Sequence, residues 1–454
     1  MRKKVAWMKK AENMLECVAS LDNGPLYDEN FDMFYTPFQE PYRTDIVKQL
    51  NFKLQAASPF SYKFILAGHR GVGKSTELLR VSKSCAGYET IFVNAADAMG
   101  PKGTSYTNLL ILIVDRVMEF GVNSHYLNEN DSAFASLLNY WNSELEIESI
   151  VQKAETTSGV LGVDAEIGGS LSTSFGILKK LKTIITVGAK LGVSAERKVA
   201  QTSSVDEIIH TVIDKNDMLF VQAFNVLLKE LKTRMKGNQP LIVVEELDKA
   251  GQFELASDVF NNHAKAFLGI ESDMIFTYPV HLQYDPAYSH VRDIFSGIFK
   301  LGVVELLDEN KEYRRGAIEA FKELIYKRIS ENIIEDDALE EAIKMSGGLI
   351  RDVFTLLSEA AVTAGVDSRE KITVSDVRRA IATLEDRYIK VIKINNGFDE
   401  IVKIYKEPRR QVDENLRELL RTEVVLEYSN NRYVVHPVVV KFLSDIGKQV
   451  DKYE

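Results

Sequence analysis

Residues 63–80 read KFILAGHRGVGKSTELLR, and this stretch decides the fold. Phe64, Ile65, Leu66 and Ala67 form a short apolar run suited to a buried strand, glycines then break it, and Glu77, Leu78, Leu79 and Val81 resume as a helix. Between the two, Gly68, His69, Arg70, Gly71, Val72, Gly73, Lys74 and Ser75 match G-x-x-x-x-G-K-[ST]. The pattern needs those residue types. Glycines let backbone N–H groups turn inward around phosphate oxygens. Lys74 brings a point charge to the β- and γ-phosphates, Ser75 offers its hydroxyl to Mg²⁺, and the first helical turn, with Thr76, aims its positive dipole end at the anion. Strand, loop and helix in this order form a phosphate-binding loop, with ATP and Mg²⁺ as its expected ligands.

Further along, Thr90, Ile91, Phe92 and Val93 predict a second strand ending at Asn94, and residues 106–120 are strongly helical. The β-α-β-α order predicts a parallel sheet. Leu241, Ile242, Val243 and Val244 make a third strand that runs into Glu245, Glu246, Leu247, Asp248 and Lys249. A fourth spans 274–276 before Thr277, Tyr278 and Pro279, and a last one spans 299–304. Before the loop, residues 22–40 are an irregular lead-in rich in Asn, Asp, Pro, Phe and Tyr, and the following helix puts Ile46, Leu50 and Leu54 on one face. Between about 126 and 214 helical periodicity fails and glycines accumulate, which predicts an insertion, either a solvated arm or one that docks a partner. After Asp308 the pattern is helical at 312–330, 337–345, 349–364 and 374–384. The last segment has two short helices and then VVLEYSNNRYVVHP, in which Val425, Leu426 and Tyr428 face Tyr433, Val434 and Val435 across Asn430 and Asn431. Helix, helix, hairpin is the order of a winged helix.

Composition bounds the function. The 454 residues are 45% hydrophobic and 27% charged, an ordinary globular balance with room for two or three domains. Cys17 and Cys85 are the two cysteines, so a disulfide framework is excluded and a reducing cytoplasm is the expected compartment. The N-terminus begins with basic residues, but Lys9, Lys10, Glu12 and Glu16 interrupt the apolar core of a signal peptide, and an amphipathic helix is expected there. No run reaches the ~18 to 20 apolar residues of a membrane span, so no membrane partner is expected. The net charge of −10 gives no overall attraction to nucleic acid.

An acidic pair at the end of an apolar strand, downstream of a phosphate loop, is what nucleotide hydrolysis requires: one carboxylate for Mg²⁺, the next to polarise the attacking water. Glu245 and Glu246 stand there, although acidic residues also favour a helix N-terminus. With the loop upstream, VVEELDKA resembles the Walker B segment of AAA+ ATPases, Thr277 sits where that family ends its sensor 1 strand, and SGGLIRD resembles its sensor 2. The Orc/Cdc6-like and STAND branches are the most similar. The resemblance covers residues 42–443 and implies an α/β fold: a parallel-sheet P-loop core, a helical lid and a C-terminal winged helix.

By that resemblance Glu245 joins Ser75 in holding Mg²⁺, Glu246 is the catalytic glutamate, Thr277 orders the water, and Arg351 reaches the γ-phosphate from the lid. Arg292 is an arginine finger for a neighbouring subunit, and Tyr42 and Arg43 begin the adenine pocket. The family's usual Asp is Glu245 here, one methylene longer, which implies slow hydrolysis. The implied organisation is a helix and lead-in over 1–40, a core over 41–307, a lid over 308–386 and a winged helix over 387–454. The implied function is an ATP-driven switch that forms a homo-oligomer or engages a protein effector, as in bacterial anti-phage defence ATPases. The alternative is a DNA-binding initiator or loader. Arg409, Arg410, Arg417, Arg421 and Arg432 offer phosphate contacts, but Asp413, Glu414, Glu418, Glu423 and Glu427 are interleaved, which favours a winged helix facing protein.

Overall fold

The computed structural model describes residues 9–38, 40–56, 58–100, 103–128, 137, 140, 213–249, 252–394, 397–428 and 431–453. Most of the expected Gly-rich insertion, the start of the N-terminal helix and Asn430 lie outside the described residues.

Five strands form one wholly parallel sheet: β1 (Lys63–Gly68), β2 (Tyr88–Asn94), β3 (Gln239–Glu245), β4 (Asp273–Pro279) and β5 (Gly297–Lys300), in the order β2-β3-β4-β1-β5. The phosphate-loop strand thus sits between β4 and β5. Strand alternation sends successive residues to opposite faces. Ile65, Ala67, Ile242 and Val244 enter the core built with α4 (Tyr106–Asn123) and α5 (Asp217–Arg234). Phe64, Leu66, Leu241 and Val243 enter the core built with α2 (Ile46–Leu54) and α3 (Lys74–Ser84). With both faces covered, β1 is buried along its whole length, which is why residues 64–67 are an unbroken apolar run. The last strand begins and ends earlier than the expected 299–304. Residue pairing with β1 ends at Lys300 opposite Ala67, Leu301 N still donates to Ala67 O at 2.8 Å, and residues 302–304 lie beyond the strand.

The short α6 (Tyr288–Ile294) precedes β5, and four helices follow it: α7 (Arg315–Tyr326), α8 (Asp336–Met345), α9 (Ile350–Val366) and α10 (Val374–Ile394). The winged helix comprises α11 (Phe398–Lys406), α12 (Glu414–Arg421), the hairpin β6 (Val425–Tyr428) with β7 (Arg432–Val435), and α13 (Pro437–Asp445). The architecture is therefore the α/β P-loop core, helical lid and C-terminal winged helix that the resemblance implies.

The N-terminal lead-in is not a separate unit. Helix α1 (Met14–Ser20) packs on α9, Ala11 N donates to Arg328 O at 2.8 Å and Ser330 N donates to Ala11 O at 2.8 Å. Met14, Cys17, Leu21 and Phe38 share one hydrophobic core with the lid and the winged helix. Among the described residues no helix is long and apolar enough to cross a membrane.

The hairpin is buried on both faces, because Leu426, Tyr428 and Val434 belong to the core under α2 and α3 while Val425, Tyr433 and Val435 belong to the lid core. Tyr428 Oη donates to Gly347 O at 2.9 Å, and Arg432, itself buried, donates to Leu307 O at 2.7 Å and meets Glu305 at 3.3 Å. The winged helix is clamped onto the core and lid.

Candidate nucleotide site

The loop follows β1 at the carboxyl edge of the sheet, the edge at which open parallel sheets bind ligands. Gly71 and Gly73 hold left-handed φ values of 82° and 94°, which L side chains rarely adopt. A Cβ on Gly71 would lie 2.6 Å from Cβ of Arg351, so the lid closes directly on the loop, and Arg351 N donates to Gly71 O at 3.1 Å. Lys74 is buried with its Nζ among Gly68 O (2.9 Å), His69 O (2.7 Å) and Asp248 Oδ2 (2.8 Å). Asp248 is a partner that the motif by itself does not identify.

At the end of β3, burial pushes the Glu245 carboxyl up to about 7, against a hydrogen bond from Ser75 and with the charges of Glu246 and Asp248 adding to the rise. Its Oε1 is buried with no hydrogen-bond partner. A desolvated carboxylate oxygen beside a loop serine is a donor set that Mg²⁺ fits. Glu246 leaves the strand with φ at 69°, a strained setting for a non-glycine residue, and its carboxylate pairs with Lys249. Thr277, on the adjacent β4, does not line the cleft. Its buried Oγ1 accepts from Leu247 N at 3.2 Å and so pins the acidic turn rather than pointing at a substrate.

A cleft of about 250 Å³ lies over the loop, lined by Arg70, Gly71, Gly73, Lys74, Ser75 and Thr76 on one side and by Ile350, Arg351 and Phe354 of α9 on another. Glu246, Asp248 and Arg43 also line it. Arg351 pairs through Nη2 with Glu423 of the winged helix and through Nε with Asp352 at 3.3 Å. Asp352 is fully buried. Burial opposes its ionisation, but a hydrogen bond from His436 and the charge of Arg351 outweigh it and bring the carboxyl down to about 2. His436 reaches Asp352 at 3.3 Å and Ser346 O at 3.1 Å, so α13 is tied to the first turn of α9.

The winged helix also touches the loop itself. Glu427 N donates to Nε2 of buried His69 at 2.8 Å, while the Glu427 carboxylate pairs with Lys300 and accepts from Tyr284 Oη at 2.6 Å. Burial, reinforced by the charges of Lys300 and Lys74, pushes His69 well below its ordinary value, so it is neutral and able to accept. His69 therefore contacts the winged helix rather than the cleft, and Val72 is buried beneath the loop.

The remaining expected residues separate. Arg43 is buried under the loop, donating to Val72 O at 3.0 Å with Nη2 3.5 Å from Glu77. Tyr42 is not brought to the cleft. Its hydroxyl packs where a side chain at Gly316, in the first turn of α7, would otherwise stand. Arg292 lies on α6 at the surface, about 65% exposed and beside Asp293 at 3.2 Å. The cleft is also lined by residues that no motif marks: Phe34 and Thr36 from the lead-in, Leu324 and Arg328 from the end of α7 and the turn after it, and Phe354. The aromatic richness of 22–40 was visible in the sequence, but which ring turns inward was not.

No family model matches the chain, and no curated protein matches it either. Among solved structures it is similar to Cdc6p from Pyrobaculum aerophilum, with 14% identity and a TM-score of 0.38 over 93% of this chain and 99% of that one. It is also similar to the ORC2 protein of Aeropyrum pernix, with 12% identity and a TM-score of 0.39 over 91% of this chain and 95% of that one. The ORC1 protein of the same organism, solved in complex with DNA, has 14% identity and a TM-score of 0.39 over 95% of this chain and 87% of that one.

Proposed function

We propose that the chain binds ATP with Mg²⁺ in this cleft, hydrolyses it slowly, and uses it to set the position of the winged helix. The observation that carries the proposal is the position of Arg351, whose backbone bonds Gly71 of the loop while its guanidinium pairs with Glu423 of the winged helix. An arginine placed there chooses between two anions, a phosphate of the ligand and the Glu423 carboxylate. Lys74 likewise exchanges Asp248 for phosphate. Ser75 and Glu245 would hold Mg²⁺, which when bound neutralises phosphate charge. Glu246 polarises the attacking water once it lets go of Lys249, and Thr277 holds the turn that presents it. Arg292, exposed on α6, serves a neighbouring copy in an ATP-dependent oligomer, and the released winged helix offers a surface to that copy or to a protein effector.

Calorimetric titration with Mg-ATP tests the site. Lys74→Ala is expected to abolish binding while the protein stays folded, and retained affinity would remove the cleft from consideration. Molecular mass with and without ATP tests assembly, and an unchanged monomer would count against it.

A DNA-handling ATPase is the second reading, and it rests on the winged helix. Arg409 and Arg421 are about half exposed there, paired with Glu309 and Glu418. Surface pairs of this kind contribute roughly 0–1 kcal/mol and yield readily to phosphate. Arg432, by contrast, is committed to the interior. Duplex binding with a steep salt slope supports this reading, and no binding at moderate salt removes it.

A further inference from the structure

We infer that Arg328 reads the base of the bound nucleotide, donating hydrogen bonds to acceptor atoms on a purine edge at the end of the cleft away from Lys74. The inference rests on the cleft being a nucleotide site.

Arg328 is only 6% exposed, yet it lines both the cleft and an adjoining cavity of about 560 Å³. Its guanidinium lies over the rings of Phe34 and Phe354, with centroids 5.4 and 4.9 Å away. Nη1 donates to Phe34 O at 3.0 Å and Leu324 O at 3.3 Å. Among the described residues no carboxylate lies within 4.0 Å of it. Burial alone lowers its pKa to about 10, with no acidic neighbour to compensate.

A buried cation without a counter-charge is costly, and an apolar side chain of similar length would fill the space at lower cost. Two carbonyls satisfy one arm, Nη1, of a five-donor fork whose side chain lines both cavities. The surroundings repeat the pattern. Thr36 Oγ1 is buried in the same cleft with no hydrogen-bond partner.

Arg328 and Thr36 belong to the lid and the lead-in, not to the phosphate-binding loop. A flat apolar ligand with acceptors on its edge satisfies both the rings and the leftover donors. Purines present such acceptors, N7 in adenine and the N7 and O6 pair in guanine. A pyrimidine, one ring shorter, leaves Arg328 unmet. The ligand class is therefore a purine nucleoside triphosphate, with GTP admitted beside ATP.

The test is calorimetric affinity for ATP, GTP, UTP and inorganic tripolyphosphate, each with Mg²⁺, on the full chain. The wild type is expected to prefer both purines over UTP and tripolyphosphate by about tenfold or more. Arg328→Met is expected to erase that preference while leaving tripolyphosphate affinity unchanged, and Arg328→Lys, which keeps the charge and loses the fork, to recover only part of it. If Arg328→Met weakens all four ligands equally, or leaves the purine preference intact, the inference falls and Arg328 merely ties the lead-in to α7. Should Arg328→Met fail to fold, Arg328→Lys together with Thr36→Val decides by the same ratio. Failure of the wild type to bind any of the four ligands overturns the nucleotide site itself, a result distinct from failure of base reading.

Discussion

Glu245 shows how one side chain couples the site to stability. Its carboxyl in the folded chain titrates at about 7, raised first by burial, while an unfolded glutamate titrates near ~4.3. Between those values the folded state holds more protons than the unfolded one, so stability falls as pH rises through this window and the full cost is present above it. Glu245→Gln is therefore expected to raise the melting temperature at pH 8 and to flatten its decline between pH 4.5 and 7. Mg²⁺ should stabilise the wild type at pH 8 and leave the variant unmoved. A wild-type profile as flat as the variant's would show that Glu245 is already solvated or paired. The left-handed Glu246 next to it points the same way: local conformation and burial are spent on holding two carboxylates where a ligand can use them.

The helix that carries Arg351 begins where it does because of two glycines. Gly347 and Gly348 hold φ values of 63° and 93°, and a Cβ on Gly348 would lie 2.0 Å from Val304 O. The turn after α8 is thereby pressed against the segment leaving β5, which brings the first turn of α9 over the loop. Gly348→Ala adds backbone strain of about 1–3 kcal/mol and a backbone clash beyond it. Gly87→Ala is the control, because Gly87 shares the left-handed setting (φ 80°) with open space around it. Urea denaturation should show Gly348→Ala to be clearly the more destabilising of the two. Equal losses would mean that the turn shifts freely and that α9 is not positioned by this contact.

Across the whole molecule, the winged helix is held by three ties around the loop: Glu427 to His69, Glu423 to Arg351, and His436 to Asp352. The middle tie is the one that a triphosphate contests. Burial pushes the Glu423 carboxyl up, against the pull of Arg351, so the pair is under desolvation stress. Glu423→Gln frees Arg351 for the ligand and is expected to raise the ratio of ATP to ADP affinity, roughly tenfold if a charge-assisted bond is gained. An unchanged ratio, measured by calorimetry, would show that the winged helix does not compete for Arg351.

The sequence by itself determined the phosphate loop, the parallel sheet, the helical lid and the hairpin, because each depends on local spacing: glycines where φ must be positive, period-two burial in strands, apolar stripes in helices. It also named Lys74, Ser75, Glu246 and Arg351, which line one cleft, and Glu245, which is buried beside Ser75. Tertiary structure alone decided that Tyr42 turns to α7, that Thr277 serves the backbone, that His69 faces the winged helix, and that Arg328 lines the cleft. Those outcomes depend on which surfaces meet across distances of tens to hundreds of residues. Spacing along the chain carries no record of such meetings, because they are settled by packing and by the need to partner buried polar groups.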